Sequence, residues 1–323
     1  MTKSTHRVEV VPVCLEPHPN AQALSIVHIW GYSVCVRTAD WQDGALGAYI
    51  VPDSVVDTTR PEFAFLGDHP RIRVKRLRGT LSQGLLIPAP PGAQAGDDVA
   101  ELLGVQRYEP PENACTGGDN EPSPVAWAPS YDVESWHRYK HLLRDGEPVV
   151  ATEKVHGTSA RYLYADGRMY CGSRTAWKKE SDKSAWWKAL RRHPEIATFC
   201  TANPECVLYG EVYGQVQDLR YGAGPGEVFF RGFDVWQRDR WLDWEEAQAR
   251  AAVSLPWVPA LYTGPYNGDQ LVGLAEGGSV VAAALGEQNL REGIVVKPMR
   301  ERTDLEIGRV QLKIVSNAYL ERP

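Results

Sequence analysis

Two lysines stand in settings suited to phosphoryl chemistry. Lys154 follows an apolar run, in Glu153-Lys154-Val155-His156-Gly157-Thr158-Ser159, and Lys297 closes Glu292-Gly293-Ile294-Val295-Val296-Lys297. A lysine attacks phosphorus only as the neutral amine, and its ordinary pKa is about 10.4, so its surroundings must disfavour the ammonium. Nearby cations do so, and the same cations neutralise a phosphate under attack. Lys297 and Lys313, the latter in Gln311-Leu312-Lys313, would serve if strand pairing brought them beside Lys154. Spacing along the chain leaves that meeting open.

The complementary need is for carboxylates, because a divalent ion bridging nucleotide phosphates takes hard oxygen ligands. Glu211, in Leu208-Tyr209-Gly210-Glu211-Val212-Tyr213-Gly214, and Glu292 both lie at or beside apolar runs flanked by glycine. Taken singly, each reads more readily as a surface glutamate. Phe233, in Phe229-Phe230-Arg231-Gly232-Phe233-Asp234, would suit stacking on adenine, although an aromatic in such a run is more often core. Arg174, after Cys171-Gly172-Ser173, offers a guanidinium for ribose or phosphate.

The elements that must position these groups fall into two parts. A chain of 323 residues is long enough for two domains, and 43% hydrophobic residues with a net charge of -6 describe a soluble globular protein. No apolar run reaches the length of a membrane span and the N-terminus lacks a signal-peptide pattern, so no membrane partner and a cytoplasmic location are expected. The six cysteines form no close pair, which argues against a disulfide framework or thiolate metal site.

Residues 1–108 carry short β-rich runs broken by Pro, Gly and Asp, the pattern of a small barrel. Within them Arg71 to Arg78 alternates basic and apolar residues, so a single strand would present one basic face. Arg73, Lys75 and Arg76 on that face would hold nucleic-acid phosphates; an edge strand guarded by charge explains the same pattern. A second basic patch, Lys178 to Arg192, is equally readable as a solvated face. Residues 109–130, rich in Pro and Gly, read as a linker.

In residues 131–323, Asp132 can cap a helix running to about Arg144, and β runs follow at Pro148–Val155, Ser159–Ala165 and Arg168–Gly172. Asp166-Gly167 marks a tight hairpin between the last two. A helix over Lys183–Arg192, strands at Val207–Val212 and Val228–Trp236, and a helix begun by Asp243 with Glu246 as capping box come next. Strands at Gly293–Lys297 and Val310–Val315 complete the domain.

Taken in order, the Lys154 motif, Ser173-Arg174, Glu211, Phe233-Asp234, Glu292 to Lys297 and Leu312-Lys313 resemble the motifs of the covalent nucleotidyltransferases: DNA ligases, RNA ligases and mRNA capping enzymes. Glu-Lys-x-His-Gly-Thr, with histidine where DNA ligases and capping enzymes usually carry aspartate, is similar to the RNA-ligase branch that seals nicks in duplexes. The chain ends ten residues beyond Lys313, so the extra domain is expected at the N-terminus. Together with Arg78 to Leu85 and Tyr213 to Gly222, that order resembles the RNA ligases with an N-terminal OB domain.

The resemblance implies an α+β protein, with an ATP-grasp-like nucleotidyltransferase domain of antiparallel sheets and flanking helices after an OB barrel. It implies an ATP-dependent RNA ligase using Mg2+ or Mn2+, acting as a monomer on nicked duplex RNA or an RNA-containing duplex. Lys154 would accept AMP, Phe233 stack on adenine, Glu211 bind ribose and metal, and Glu292 bind metal. Lys297 and Lys313 would contact the α-phosphate, Arg174 the ribose or nick end, and Glu153, His156 and Gly157 the pocket around nucleotide and metal. Ser159 stands where many relatives have asparagine, and Gln311 where the last motif often has its first lysine. Rival readings are a capping guanylyltransferase, a DNA ligase, and a nucleic-acid-binding protein with a degenerate transferase domain.

Overall fold

A computed structural model describes residues 6–108 and 116–322. The chain divides into two compact units, Met1–Pro110 with Leu320–Pro323, and Pro111–Tyr319. Residues 109–115 of the expected linker, Cys115 among them, lie outside the described residues.

In the first unit the strand Leu46–Ile50 pairs antiparallel with Glu9–Pro12 on one side and Leu85–Pro88 on the other. Its side chains alternate between two cores: Ala48 and Ile50 pack with Val8, Val10 and Phe63, while Tyr49 packs with Val27, Val34 and Leu86. Being buried on both faces, this strand ties the unit together.

The basic run Arg71–Arg78 is not one strand but two. Arg71–Ile72 pairs with Ser54–Val55, and Val74–Leu77 forms a hairpin with Thr80–Gln83. Ile72 and Val74 are both buried, so the apolar alternation survives while the chain changes partner at Arg73. The cations are also put to different uses. Arg71 reaches Asp53 at 2.6 Å and lies 3.7 Å over the Tyr108 ring, and Arg76 donates to Glu321 and to the Gly79 carbonyl. Arg73 and Lys75 are exposed.

The second unit holds a seven-stranded and a five-stranded sheet. Pro148–Glu153 runs between Gly293–Pro298 and Ala260–Pro265 in the smaller sheet, whereas Gly157–Ala165 runs between Arg168–Gly172 and Cys206–Gly214 in the larger. The short segment Lys154 to His156 therefore crosses from one sheet to the other. Asp166 and Gly167, with φ of 49° and 77°, make the expected hairpin turn. Helices Ala185–Arg192 and Pro194–Ala202 cover the larger sheet, their Trp186 and Phe199 packing with Tyr162, Leu208 and Phe230. The Asp243/Glu246 capping box is present at Trp244–Ala247.

The helix expected from Asp132 to Arg144 is cut short. Glu134–Ser135 is drawn into a parallel pairing with Leu312–Lys313, leaving one α turn, Trp136–Tyr139, and a 3-10 turn, Lys140–Leu142. Asp132 caps no helix; its carboxylate meets Arg174. Among the described residues no helix is long and apolar enough to cross a membrane.

Candidate active site

Lys154 sits where the two sheets of the second unit hand over. Its amide donates to the Gly293 carbonyl at 2.9 Å, and its Nζ donates to Glu292 Oε1 at 2.6 Å. The other Glu292 oxygen lies 3.2 Å from His156 Nδ1, and His156 Nε2 lies 2.6 Å from Asp218 Oδ1. The Tyr319 hydroxyl is 3.1 Å from the same Nδ1, and the Tyr221 hydroxyl accepts the His156 amide at 2.9 Å. Groups far apart in sequence thus share one cluster.

The motif glycines explain how the strands come so close. A Cβ on Gly157 would stand 2.2 Å from the Val212 carbonyl oxygen. One on Gly293, whose φ is 154°, would stand 2.1 Å from that of Ile314. Both are impossible contacts, so only glycine lets the Lys154 and Glu292 segments lie against their neighbours.

The electrostatics invert one expectation. Burial favours the neutral Lys154 amine, but Glu292 and Glu211 outweigh it and raise the pKa above the ordinary lysine value. In the unliganded chain Lys154 is an ammonium held by carboxylates, and Lys297, one of the cations expected to depress it, is paired elsewhere. Glu292 itself is pulled down to about 2: burial opposes ionisation, and Lys154 and His156 overcome it. Glu211 goes the other way. Burial pushes it up to about 8, with Glu292 adding to the rise and Lys154 opposing it.

Glu211 faces Ser159 on one neighbouring strand and Arg231 on the other. Phe233 is the extra residue of a β-bulge, since Tyr209 pairs with Asp234 and Gly210 with Gly232. A bulge re-aims the side chain it carries, and Phe233 remains half-buried beside the Glu211 strand. Lys313 is opposite Val295, itself opposite Thr152, and so lies two strands from the Lys154 strand in the smaller sheet.

Three predicted site residues are engaged elsewhere. Glu153 is buried, accepting the Ser279 hydroxyl and the amides of Val280 and Val281 at 2.8 and 3.3 Å. Successive strand residues point to opposite faces, so its carboxylate is directed to the Ser279 loop and away from the Lys154 side chain. Arg174 is ion-paired with Asp132. Lys297 lies opposite Val150, four residues before Lys154 and so roughly 13 Å along the strand. Its ammonium joins Asp234 and Glu301, which also accept from Arg309.

Asp218, Tyr221 and Tyr319 are site residues that sequence reasoning left without a role. The first two lie in the Tyr213–Gly222 run that carried part of the family resemblance; Tyr319 carried no signal. Among the described residues, no group of three or more His, Cys, Asp or Glu forms a ready metal cage. The donor set still fits a divalent ion that keeps its waters and shares nucleotide phosphates, which needs only one or two protein carboxylates. Glu211, kept protonated by burial, is a donor whose ionisation such a cation would favour.

Comparison with known proteins bears on the family and the fold. An RNA ligase family model matches residues 147–315 and an OB-fold domain model matches residues 7–89. The chain matches none of the curated proteins. Among solved structures it is similar to a lysine-to-alanine variant of Naegleria gruberi RNA ligase R4a in its apo form, at 24% identity over 98% of each chain, TM-score 0.83. It is also similar to a lysine-to-methionine variant of the Naegleria gruberi RNA ligase with AMP and Mn, at 25% identity over 98% of each chain, TM-score 0.83. The same ligase with PPi gives 25% identity over 98% of each chain, TM-score 0.81. The α+β fold is thus an RNA-ligase nucleotidyltransferase domain preceded by an OB-fold domain. Because the RNA ligase model covers more than half of its length, the chain belongs to the RNA ligase family.

Proposed function

We propose that this RNA ligase is ATP-dependent, forms a lysyl-AMP intermediate on Lys154 and seals 3′-hydroxyl/5′-phosphate breaks, with nicks in RNA-containing duplexes as substrate. The observation that carries the reading is the meeting of Lys154 with Glu292 and Glu211 from two different sheets. The similar Naegleria gruberi ligase has been solved with ATP and Mn, with AMP and Mn, and with PPi, the reactant and products of such a first step.

In that step the neutral Lys154 amine attacks the α-phosphorus of ATP, the bond to pyrophosphate breaks, and the amine proton is lost. AMP then passes to a 5′-phosphate, and a 3′-hydroxyl displaces it to close the strand. A bound Mg2+ or Mn2+ would offset phosphate charge, with Glu211 and Glu292 as its protein ligands. With Glu292 given to such an ion, Lys154 would no longer face the carboxylate that holds its proton. Phe233 would stack on adenine, Lys313 approach the phosphates, and Arg73 and Lys75 hold duplex phosphates. The protein is read as a cytoplasmic monomer.

Mass spectrometry after incubation with ATP and Mn2+ tests the proposal. One added AMP, mapped to Lys154, is expected; an adduct on another lysine overturns it.

The pH dependence follows from the carboxyl of Glu211. With its pKa pushed to about 8, it is largely neutral at pH 7 and becomes a ligand only as pH rises. The raised pKa of Lys154 acts in the same direction, since the amine must be neutral. At limiting Mn2+, adduct formation should therefore climb between about pH 6.5 and 8.5. A flat profile over that window would count against Glu211 as the ligand.

A further inference from the structure

We infer that Arg78, at the tip of the hairpin formed by Val74–Leu77 and Thr80–Gln83, grips the RNA phosphodiester backbone and is held ready for it by His18 and Asn20. This rests on the proposed role of the first unit in holding nucleic acid and adds a residue and a mechanism to it.

The hairpin turns through Arg78 and Gly79, with φ of 47° and 91°. Positive φ at both positions is what a two-residue turn requires, and the first position ordinarily takes Asn, Asp or Gly. A long cationic side chain there is locally unfavourable, so something other than the turn accounts for it. The neighbouring loop holds the tip in place. His18 is buried, and its Nδ1 accepts the Asn20 amide at 3.0 Å. That acceptance leaves the ring proton on Nε2, which donates to the Leu77 carbonyl at 3.1 Å. Asn20 in turn donates its side-chain amide to the Arg78 carbonyl at 3.1 Å. A surface turn with no task would not need its two tip carbonyls pinned from outside.

Charge selects the partner. From Arg71 to Leu86 the chain carries five basic residues and no acidic one. Arg71 is compensated by Asp53, and Arg76 by Glu321. Arg73, Lys75 and Arg78 are exposed, and none has a salt bridge among the described residues. Three uncompensated cations, Arg73 just before the hairpin and Lys75 and Arg78 on it, suit a regularly charged polyanion, and in an RNA ligase that polyanion is the substrate backbone. Pinning the tip carbonyls removes the backbone ordering cost that a mobile turn would incur on binding.

Binding of the full chain to a nicked RNA duplex, followed by fluorescence anisotropy across a salt series, tests the inference. Arg78→Gly removes the cation while relieving the backbone, so its Tm should equal or exceed that of the wild type. Its affinity should fall about tenfold and its salt slope by about one. Arg78→Lys should recover most of the affinity, and Arg76→Ala should stay within about twofold of wild type, since its charge is already matched. Asn20→Ala should weaken binding without changing the slope. Wild-type affinity and slope in Arg78→Gly would overturn the role of Arg78, even if Arg73→Glu with Lys75→Glu weakens binding. If that double reversal also has no effect, the reading of the first unit as a nucleic-acid platform fails with it. Equal losses for Arg78→Gly on an acidic protein but not on RNA would overturn the choice of partner.

Discussion

Lys154→Ala is expected to abolish the AMP adduct while leaving the sealing of a pre-adenylated nick largely intact. The reason is the absence of a substitute nucleophile within reach. Lys297 is fixed in an ion cluster and Lys313 stands two strands away, whereas Lys154 meets both Glu292 and, electrostatically, Glu211. The expected loss is total for the first step, because no positioning effect replaces the atom that forms the bond. Lys154→Arg should behave the same way; it keeps a cation against Glu292 but supplies no usable nucleophile. Comparing the two isolates chemistry from charge balance, since only the alanine variant leaves Glu292 facing His156 alone. Intact-mass measurement with ATP, and gel-based sealing with and without pre-adenylated ends, provide the readouts. Residual adduct in either variant would move the nucleophile elsewhere.

Asp234→Ala should cause the largest loss of stability. Asp234 is 1% exposed and accepts from Lys297, from both terminal nitrogens of Arg309 at 2.7 and 2.8 Å, and from the Tyr131 hydroxyl at 2.9 Å. Glu301 completes a balanced group of two cations and two carboxylates, roofed by Trp241 at 4.1 Å from the Arg309 guanidinium. Burial alone would raise the Asp234 pKa; Arg309 and then Lys297 overcome it and hold the carboxyl well below the usual carboxylate range. Its stabilising effect is thus complete above the ordinary Asp pKa of about 4 and is lost as pH falls below that. Removing the carboxylate leaves two buried cations sharing Glu301, at a cost of about 3–5 kcal/mol. For a unit of this size the Tm should drop on the order of 10 °C. The same measurement separates two roles for Lys297. If it acts only within this group, Lys297→Met should lower Tm and adduct formation together. Unchanged Tm with lost adduct formation would instead put its ammonium on the α-phosphate.

How much was legible beforehand follows the range of the interactions. The Asp166-Gly167 turn and the Asp243/Glu246 cap depend on neighbours a few residues apart, and both stand where local pattern put them. The helix from Asp132 was cut to an α turn and a 3-10 turn because Glu134–Ser135 found a strand partner near residue 312, a competitor that no local pattern contains. The Arg71–Arg78 run failed as one strand for a related reason: alternation fixes which residues are buried, not which strand they pair with.

The sequence by itself determined the family and the ordered set of chemical groups, because residue type and spacing within each motif are local properties. The tertiary structure alone decided which of those groups meet. Crossing from one sheet to the other at Lys154 brings Glu211 and Glu292 to it, while a four-residue offset in strand register sends Lys297 to Asp234 and Arg309. Strand alternation turns Glu153 away from its neighbour. The charge state of Lys154 follows from those placements, since a half-buried lysine between carboxylates keeps a proton that one between cations would lose.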